Sequence, residues 1–147
     1  VSGDEAIVTA PIRHMHFADW TTQGLPFYGG TVTYHIEIQG RGKPVKVALT
    51  KFRAPVIAVD LDGRRQGVIA ISPYAVVTEP VAPGSHMLNL TVYGNRYNTF
   101  GAVHNTDEEK DTYCSPNFWR TSGENWAYEY QLRRTGPLVA PTVAEIE

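Results

Sequence analysis

Hydrophobic and polar residues alternate along much of the chain, as they do in β-strands that bury one face. In the segment TVTYHIEIQ (31–39), hydrophobic side chains occupy every second position and polar side chains lie between them. The segment VKVALTKF (45–52) repeats this period, so its hydrophobic positions are expected to face inward: Val45, Val47 and Leu49. The two segments predict two strands joined by a glycine-containing turn.

A tight hairpin is predicted after these strands. The segment VIAVDLDG (56–63) alternates and ends in Asp62 and Gly63, two residue types that tolerate the positive φ angles of a short hairpin turn. The segment GVIAI (67–71) is then the returning strand. This arrangement predicts an antiparallel strand pair.

Three further segments are predicted to form strands. The segment HMLNLTVYG (86–94) is predicted to bury its aliphatic positions, Leu88, Leu90 and Val92. The segment NWAYEYQL (125–132) is predicted to bury its large hydrophobic positions, Trp126, Tyr128, Tyr130 and Leu132. The segment PIRHMHF (11–17) qualifies as a first strand.

No stretch has the period of an amphipathic helix, so short strands between glycine and proline turns predict an antiparallel sandwich or barrel. The 147 residues suit one domain. Residues 1–10 are expected to be a leader, and residues 134–147 a tail that crosses the surface towards a neighbouring domain. The chain begins at Val1 without a Met or a signal peptide, so we expect it to be a fragment of a larger multidomain protein.

Composition and charge narrow the classes of function. Hydrophobic residues make up 42% and charged residues 19% of the chain, as in globular proteins. The net charge of -2 argues against a nucleic-acid partner, because phosphate binding requires a basic face. No run of about 18 apolar residues predicts a membrane span. Cys114 is the only cysteine, so no internal disulfide can form.

The residues from 95 to 124 carry little alternation and predict one long, ordered loop. Asn95 and Asn98 are expected to tolerate unusual backbone angles and to bond free backbone amides. Phe100 is expected to anchor the loop to the core, and Gly101 to allow close approach of the backbone.

Metal ligands are few. His14 and His16 would point the same way on a strand, but zinc normally takes a third protein ligand as well. The segment NTDEEKD (105–111) gathers four carboxylates, Asp107, Glu108, Glu109 and Asp111. These could hold a structural calcium ion, but they do not have the spacing of a calcium loop, so a solvated acidic loop is the preferred interpretation. No cofactor is expected.

Catalytic motifs are absent from the sequence. It contains neither a G-x-S-x-G nucleophile elbow, nor a phosphate-binding loop, nor a dinucleotide-binding glycine motif. Glycoside hydrolysis needs two paired carboxylates, and nothing pairs the candidates by residue type, Glu37, Asp60, Glu124 and Glu129. The chain by itself is therefore predicted not to be an enzyme.

Aromatic residues beside polar ones are the strongest indication of a binding site. A flat ring can stack against the C–H face of a sugar while arginine, amide and carboxylate groups bond its hydroxyls. The candidate carbohydrate-binding residues are Trp119, Arg120, Tyr97, Glu124 and Trp20. The alternative is a second small core, in which the rings pack over the end of the sheet and polar groups bond loop backbone.

Several motifs between residues 17 and 133 resemble a known family. One is the hairpin of Val59, Leu61, Asp62, Gly63 and Gly67, followed by Pro73 and Tyr74. A second is the strand with Gly84, His86, Leu88, Leu90 and Val92, and a third is the segment with Phe27, Tyr28, Gly30, Val32 and Tyr34. Together they resemble the jelly-roll, galactose-binding-like sugar-binding domain of bacterial glycoside hydrolases, as in β-galactosidases and β-glucuronidases.

The resemblance implies an accessory role, because the catalytic acid and nucleophile of such enzymes lie in a separate barrel. The expected function is therefore a non-catalytic carbohydrate-binding or substrate-shaping module of a bacterial glycoside hydrolase, with carbohydrate and the parent's catalytic domain as partners. Two alternatives remain open: a purely structural sandwich that packs against the catalytic domain, and a stand-alone glycosidase.

Overall fold

The computed structural model describes residue 12, residues 14–107 and residues 115–147. Within these ranges the strands are β1 (Thr31–Gly40), β2 (Val45–Ala48), β3 (Phe52–Arg53), β4 (Val56–Leu61), β5 (Arg64–Ile69), β6 (Ala75–Val77), β7 (Gly84–Tyr93), β8 (Gly136–Pro137) and β9 (Thr142–Glu145). One short α-helix, α1, spans Tyr97–Phe100, and short 3-10 helices span Trp20–Thr22 and Pro116–Trp119. The predicted all-β fold is confirmed.

The strands form antiparallel sheets. The four-stranded sheet has the order β1-β7-β4-β5, the three-stranded sheet β6-β2-β9, and a third sheet contains β3 and β8. Strands β1 and β7 pair along their whole length, from Thr31 opposite Tyr93 to Gly40 opposite Gly84. Five predicted strand segments are thereby confirmed, with ends that move by a few residues: 31–39, 45–52, 56–63, 67–71 and 86–94.

The core lies between the larger sheets, which makes the fold a β-sandwich. The three-stranded sheet contributes Val47 of β2, and the four-stranded sheet contributes Leu88 and Leu90 of β7. Burying one aliphatic side chain of this size is worth about 1.5–3 kcal/mol relative to leaving it exposed. Six of the side chains predicted to face inward are buried in this core: Val45, Val47, Leu49, Leu88, Leu90 and Val92.

The hairpin between β4 and β5 turns as its sequence predicts. Asp62 and Gly63 have φ angles of 47° and 80°, which place both residues in the left-handed region that hairpin turns require. The carboxylate of Asp62 also accepts a hydrogen bond from the backbone N–H of Met87, at 2.8 Å. The turn is therefore attached to the neighbouring strand β7.

The C-terminal segment is part of the sandwich. Strand β9 pairs with β2 from Val45 opposite Glu145 to Ala48 opposite Thr142, and Val143 packs against the core. Residues 134–147 were interpreted as a tail across the surface. This is wrong for β8 and β9, which pair with β3 and β2. The expected leader, residues 1–10, lies outside the described residues.

The segment 125–132 is not a strand. Trp126 makes a single isolated β-bridge to Asn105, while Tyr128 and Tyr130 are 81% and 56% exposed instead of buried. Backbone bonds attach the segment to the preceding loop, with the N–H of Ala127 donating to the carbonyl of His104 at 2.9 Å. The alternation here therefore does not mark a strand of a sheet.

The predicted first strand is also wrong over the residues described, 12 and 14–17, which are irregular. Residues 11 and 13 of that prediction lie outside the described residues. The side chain of Gln23 holds the irregular segment by bonding backbone on both sides. Its Oε1 accepts from the N–H of His16 at 2.8 Å, and its Nε2 donates to the carbonyl of Ala18 at 3.0 Å.

Candidate functional site

The long loop and the segment after it enclose a cleft of about 370 Å³. We call this the polar cleft and define it by six of the residues that line it: Asn105, Asp107, Asn117, Arg120, Glu124 and Trp126. Its volume falls within the range of small-molecule sites in proteins, which is roughly 300–1,000 Å³.

Backbone contacts fix one wall of the polar cleft. The N–H of Thr106 donates to the carbonyl of Asn125 at 3.0 Å, and the N–H of Trp126 donates to the carbonyl of Gly123 at 3.2 Å. Gly123 has a φ angle of 112°, which is accessible to glycine and strained for other residues. These bonds place Trp126 beside the loop at 105–107.

Side chains arrange the polar groups of the cleft. Arg120 follows the 3-10 helix Pro116–Trp119, and its Nη2 donates to Oδ1 of Asn117 at 3.0 Å. On the other side, Oδ1 of Asn105 accepts from the N–H of Asp107 at 2.9 Å. The lining thus offers one guanidinium, two carboxylates and several amides, which can donate to and accept from hydroxyl groups.

A row of rings continues from the tryptophan of the cleft. His104 stacks on Trp126 with 5.9 Å between ring centroids and 29° between planes. Tyr130 lies 4.7 Å from His104, and Phe27 meets Tyr130 edge to face at 4.9 Å. The Nδ1 of His104 also donates to the carbonyl of Ala127 at 2.9 Å. Together these contacts restrict the orientation of Trp126.

The structure brings together two of the five residues predicted to bind carbohydrate, Arg120 and Glu124. Trp119 is 49% exposed but does not line the polar cleft, and its indole N–H donates to the carbonyl of Phe100 at 3.2 Å. Tyr97 is also outside the cleft, and the guanidinium of Arg133 lies 3.5 Å from its ring centroid. One face of the Tyr97 ring is therefore covered by protein.

Trp20 is fully buried and cannot contact a ligand, so its prediction as a carbohydrate-binding residue is corrected. It is 0% exposed and belongs to the core, where its indole N–H donates to the hydroxyl of Tyr34 at 2.9 Å. Burial raises the pKa of Tyr34, and the hydrogen bond from Trp20 partly offsets that effect. The sequence did not indicate this role, because the contacts of Trp20 are with residues distant in the chain.

The expected role of Asn98 is confirmed, whereas that of Phe100 is wrong. The amide of buried Asn98 donates to the carbonyl of Arg133 at 2.8 Å and accepts from the N–H of Arg133 at 2.9 Å. Asn95 accepts from the N–H of Tyr97 at 3.0 Å, as expected. Phe100 is 69% exposed, so Asn98, and not Phe100, attaches this loop to the rest of the fold.

Asn105, Asp107 and Trp126 line the polar cleft but were not predicted to do so. The Asn-x-Asp spacing is typical of a local side-chain-to-backbone turn, and it is the one sequence signal that could have identified this wall. Trp126 was assigned to the core because it alternates with tyrosines. Its position instead depends on the backbone bond to Gly123 and on the ring contact with His104.

Potential metal ligands do not gather at one place in the described part of the chain. Among residues 12, 14–107 and 115–147, no cluster of three or more His, Cys, Asp or Glu side chains could hold a metal ion. Three members of the acidic segment lie outside these ranges: Glu108, Glu109 and Asp111. The described helices are all too short or too polar to cross a membrane.

Comparison with known proteins identifies similar folds only. No protein-family model and no curated protein matches the sequence. A rhamnosidase from Novosphingobium sp. PP1Y is similar at 18% identity and a TM-score of 0.50, over 80% of this chain and 11% of that chain. At this identity the match shows the fold alone, and the chain spans a small part of the rhamnosidase.

Two structures of a GH2 β-galacturonidase from Eisenbergiella tayi match more weakly. One, bound to galacturonate, has 24% identity and a TM-score of 0.41 over 62% of this chain and 16% of that chain. The other, bound to glycerol, has 24% identity and a TM-score of 0.44 over 74% of this chain and 18% of that chain.

Proposed function

We propose that the chain is a non-catalytic carbohydrate-binding β-sandwich that serves as an accessory module of a larger glycoside hydrolase. The observation that carries the proposal is the polar cleft, in which Arg120, Asp107 and Glu124 surround a space beside the ring of Trp126. Charged and amide groups bond sugar hydroxyls, and an indole face packs against sugar C–H groups. The similarity in fold to a small part of a much longer rhamnosidase supports an accessory role.

A binding role fits the carboxylates of the cleft better than a catalytic role. A glycosidase acid is typically shielded from water by apolar groups, which keep it protonated until it acts. Glu124 is exposed, and Asp107 accepts a hydrogen bond from the amide of Asn125 at 3.4 Å. Both groups are therefore suited to hydrogen bonding with a sugar. Turnover of aryl-glycosides by the purified chain would instead support a stand-alone glycosidase.

Titration of the isolated chain with a panel of neutral monosaccharides and oligosaccharides tests this proposal. We expect at least one glycan to bind at millimolar or lower concentration, with chemical-shift changes centred on residues 105–107 and 120–126. Arg120→Gln should weaken that binding about tenfold, which corresponds to one charged hydrogen bond of roughly 1.4 kcal/mol. Arg134→Gln is the matched control, because Arg134 is exposed and lies outside the cleft.

Absence of binding to every glycan at millimolar concentration would contradict a carbohydrate-binding role. So would binding that Arg120→Gln leaves unchanged, because the ligand would then contact another part of the surface.

A structural module that packs against a catalytic domain is the second candidate. The observation that favours it is the set of exposed rings near α1 and the polar cleft: Phe100, Trp119, Tyr128 and Tyr130. Such rings are enriched in protein interfaces. Trp119→Ala in the parent enzyme separates the two functions. Loss of solubility or of domain docking would favour packing, and loss of glycan affinity in a stable protein would favour recognition.

A further inference from the structure

A second cleft, of about 510 Å³, lies beside β3 and shares no lining residue with the polar cleft. We call it the basic cleft and define it by six of its lining residues: Thr50, Lys51, Phe52, Arg53, Tyr74 and Leu138. One side of it is fixed by the pairing of β3 with β8 and by the N–H of Leu138, which donates to the carbonyl of Lys51 at 2.9 Å.

Tyr74 forms an ordered aromatic wall of the basic cleft. Its φ angle is 54°, a left-handed conformation that is unusual for a bulky residue and is often found at functional sites. Its N–H donates to the carbonyl of Ile71 at 2.9 Å, and its carbonyl accepts from the N–H of Leu49 at 3.1 Å. The ring meets Phe52 edge to face at 5.6 Å. The backbone bonds hold the backbone of Tyr74 in place, and the contact with Phe52 restricts its ring.

The charges of the two clefts are opposite in sign. The basic cleft is lined by two cations, Lys51 and Arg53, and by no carboxylate. Neither cation takes part in an ion pair among the described residues. The polar cleft is lined by one cation and two carboxylates. An anionic ligand is therefore favoured at the basic cleft and disfavoured at the polar cleft.

We propose that the basic cleft is a second binding site and that it takes a sugar carrying a carboxylate, such as a hexuronic acid. Lys51 and Arg53 would bond the carboxylate, and the ring of Tyr74 would contact the apolar face of the sugar. A simple inorganic anion would use only the cations, and a neutral sugar would lack the charge-assisted bonds that a carboxylate forms with them. This site does not depend on ligand binding at the polar cleft.

The test compares three probes on the full chain by NMR titration at low ionic strength: glucuronate, glucose and inorganic sulfate. Glucuronate should shift the signals of residues 50–54 and of Tyr74, and should bind at least about tenfold more tightly than glucose or sulfate. The double substitution Lys51→Gln with Arg53→Gln should abolish glucuronate binding. Tyr74→Leu should weaken glucuronate binding and leave sulfate binding unchanged.

Controls separate this site from the polar cleft and from loss of folding. Lys46→Gln removes an exposed cation outside both clefts, and Arg120→Gln alters the polar cleft. Both variants should bind glucuronate as tightly as the unsubstituted chain does. All variants should keep the circular-dichroism spectrum of the unsubstituted chain.

Three results would overturn the proposal: equal affinity for glucose and glucuronate, equal affinity for sulfate and glucuronate, or binding unchanged in the double variant. Equal sulfate affinity would mean an adventitious anion site.

Discussion

The imidazole of His86 lies between two hydrogen-bond acceptors. Its Nδ1 is 2.6 Å from Oδ2 of Asp62, and its Nε2 is 2.9 Å from the carbonyl oxygen of Ala82. Because a carboxylate and a carbonyl can only accept, both ring nitrogens must donate for both bonds to form, which requires the protonated ring. His86 thereby joins the β4–β5 turn to the chain that precedes β7 in a pH-dependent contact.

The stability conferred by this contact should depend on pH. The hydrogen bond to Asp62, followed by that to Ala82, raises the pKa of His86 above its ordinary value of 6.5. The contribution of His86 is therefore fully present below about pH 6.5 and is lost as the pH rises through the raised pKa. The bond from His86, followed by that from Met87, lowers the pKa of Asp62 below 3.8. Its contribution is present above about pH 4 and is lost as the pH falls through the lowered pKa.

Urea unfolding of the unsubstituted chain and of His86→Gln, from pH 4 to pH 9, measures how the contribution of His86 to stability depends on pH. The difference in unfolding free energy between the two should be largest between about pH 4 and pH 6.5 and should shrink towards pH 9. Subtracting the two curves removes the shared titration of the other histidines. A difference that stays constant across this range would show that the pKa of His86 is the same in the folded and unfolded chain, which would contradict the prediction.

Gly136→Ala should destabilise the sandwich strongly. Gly136 has a φ angle of 91°, and a Cβ there would overlap the indole of buried Trp20. Strain and displacement of the ring together should cost about 3 kcal/mol. Gly42→Ala is the matched control, because Gly42 has a φ angle of 83° and open space around its Cβ position. Only strain applies there, so a loss of about 1 kcal/mol is expected. Equal losses in urea unfolding would exclude the overlap with Trp20.

Asn98→Ala should release the loop that starts at Asn95. The substitution removes two hydrogen bonds to the backbone of Arg133 and leaves partly buried backbone groups without those partners. A loss of about 1–3 kcal/mol in the unfolding free energy is expected. Hydrogen exchange should also become faster at Arg133, whose N–H bonds the Asn98 side chain. Asn117→Ala, at an exposed position, should change stability by less than about 0.5 kcal/mol.

Fluorescence can locate the ligand, because the three tryptophans differ in exposure. Trp20 is fully buried, whereas Trp119 and Trp126 are accessible to different degrees. If a glycan occupies the polar cleft, its binding should change the emission of the parent chain and of Trp119→Phe. The change should disappear in Trp126→Phe, since Trp126 lines the cleft. A signal lost in Trp119→Phe but kept in Trp126→Phe would place the ligand near α1.

Period-two alternation in the sequence identified the four strands of the four-stranded sheet and strand β2 of the three-stranded sheet. Strands β1 and β7 are ten residues long, and each buries a regular set of side chains, so the local pattern carries the structural information. Strands β8 and β9 were missed because they have only two and four residues. A segment this short contains too few alternating positions to be distinguished from a loop.

The binding residues were harder to identify, because their positions depend on tertiary contacts. Arg120 and Glu124 are close in sequence, and the sequence identified them together. Trp20 has the side chain of a candidate sugar-binding residue. Its burial depends on the contact with Gly136, more than a hundred residues later in the chain, which the local sequence does not show. The polar cleft likewise joins Asn105 to Trp126 by a bridge that alternation does not encode.

The pairing of β9 with β2 determines where this domain can be cut for expression. A protein that stops at residue 133 would lack β8 and β9, leaving β2 bonded only to β6 and removing the chain that covers Trp20. The newly exposed edge of β2 would be free to pair with strands of other molecules, which promotes aggregation. Any recombinant form intended for ligand studies should therefore retain the residues up to at least Glu145.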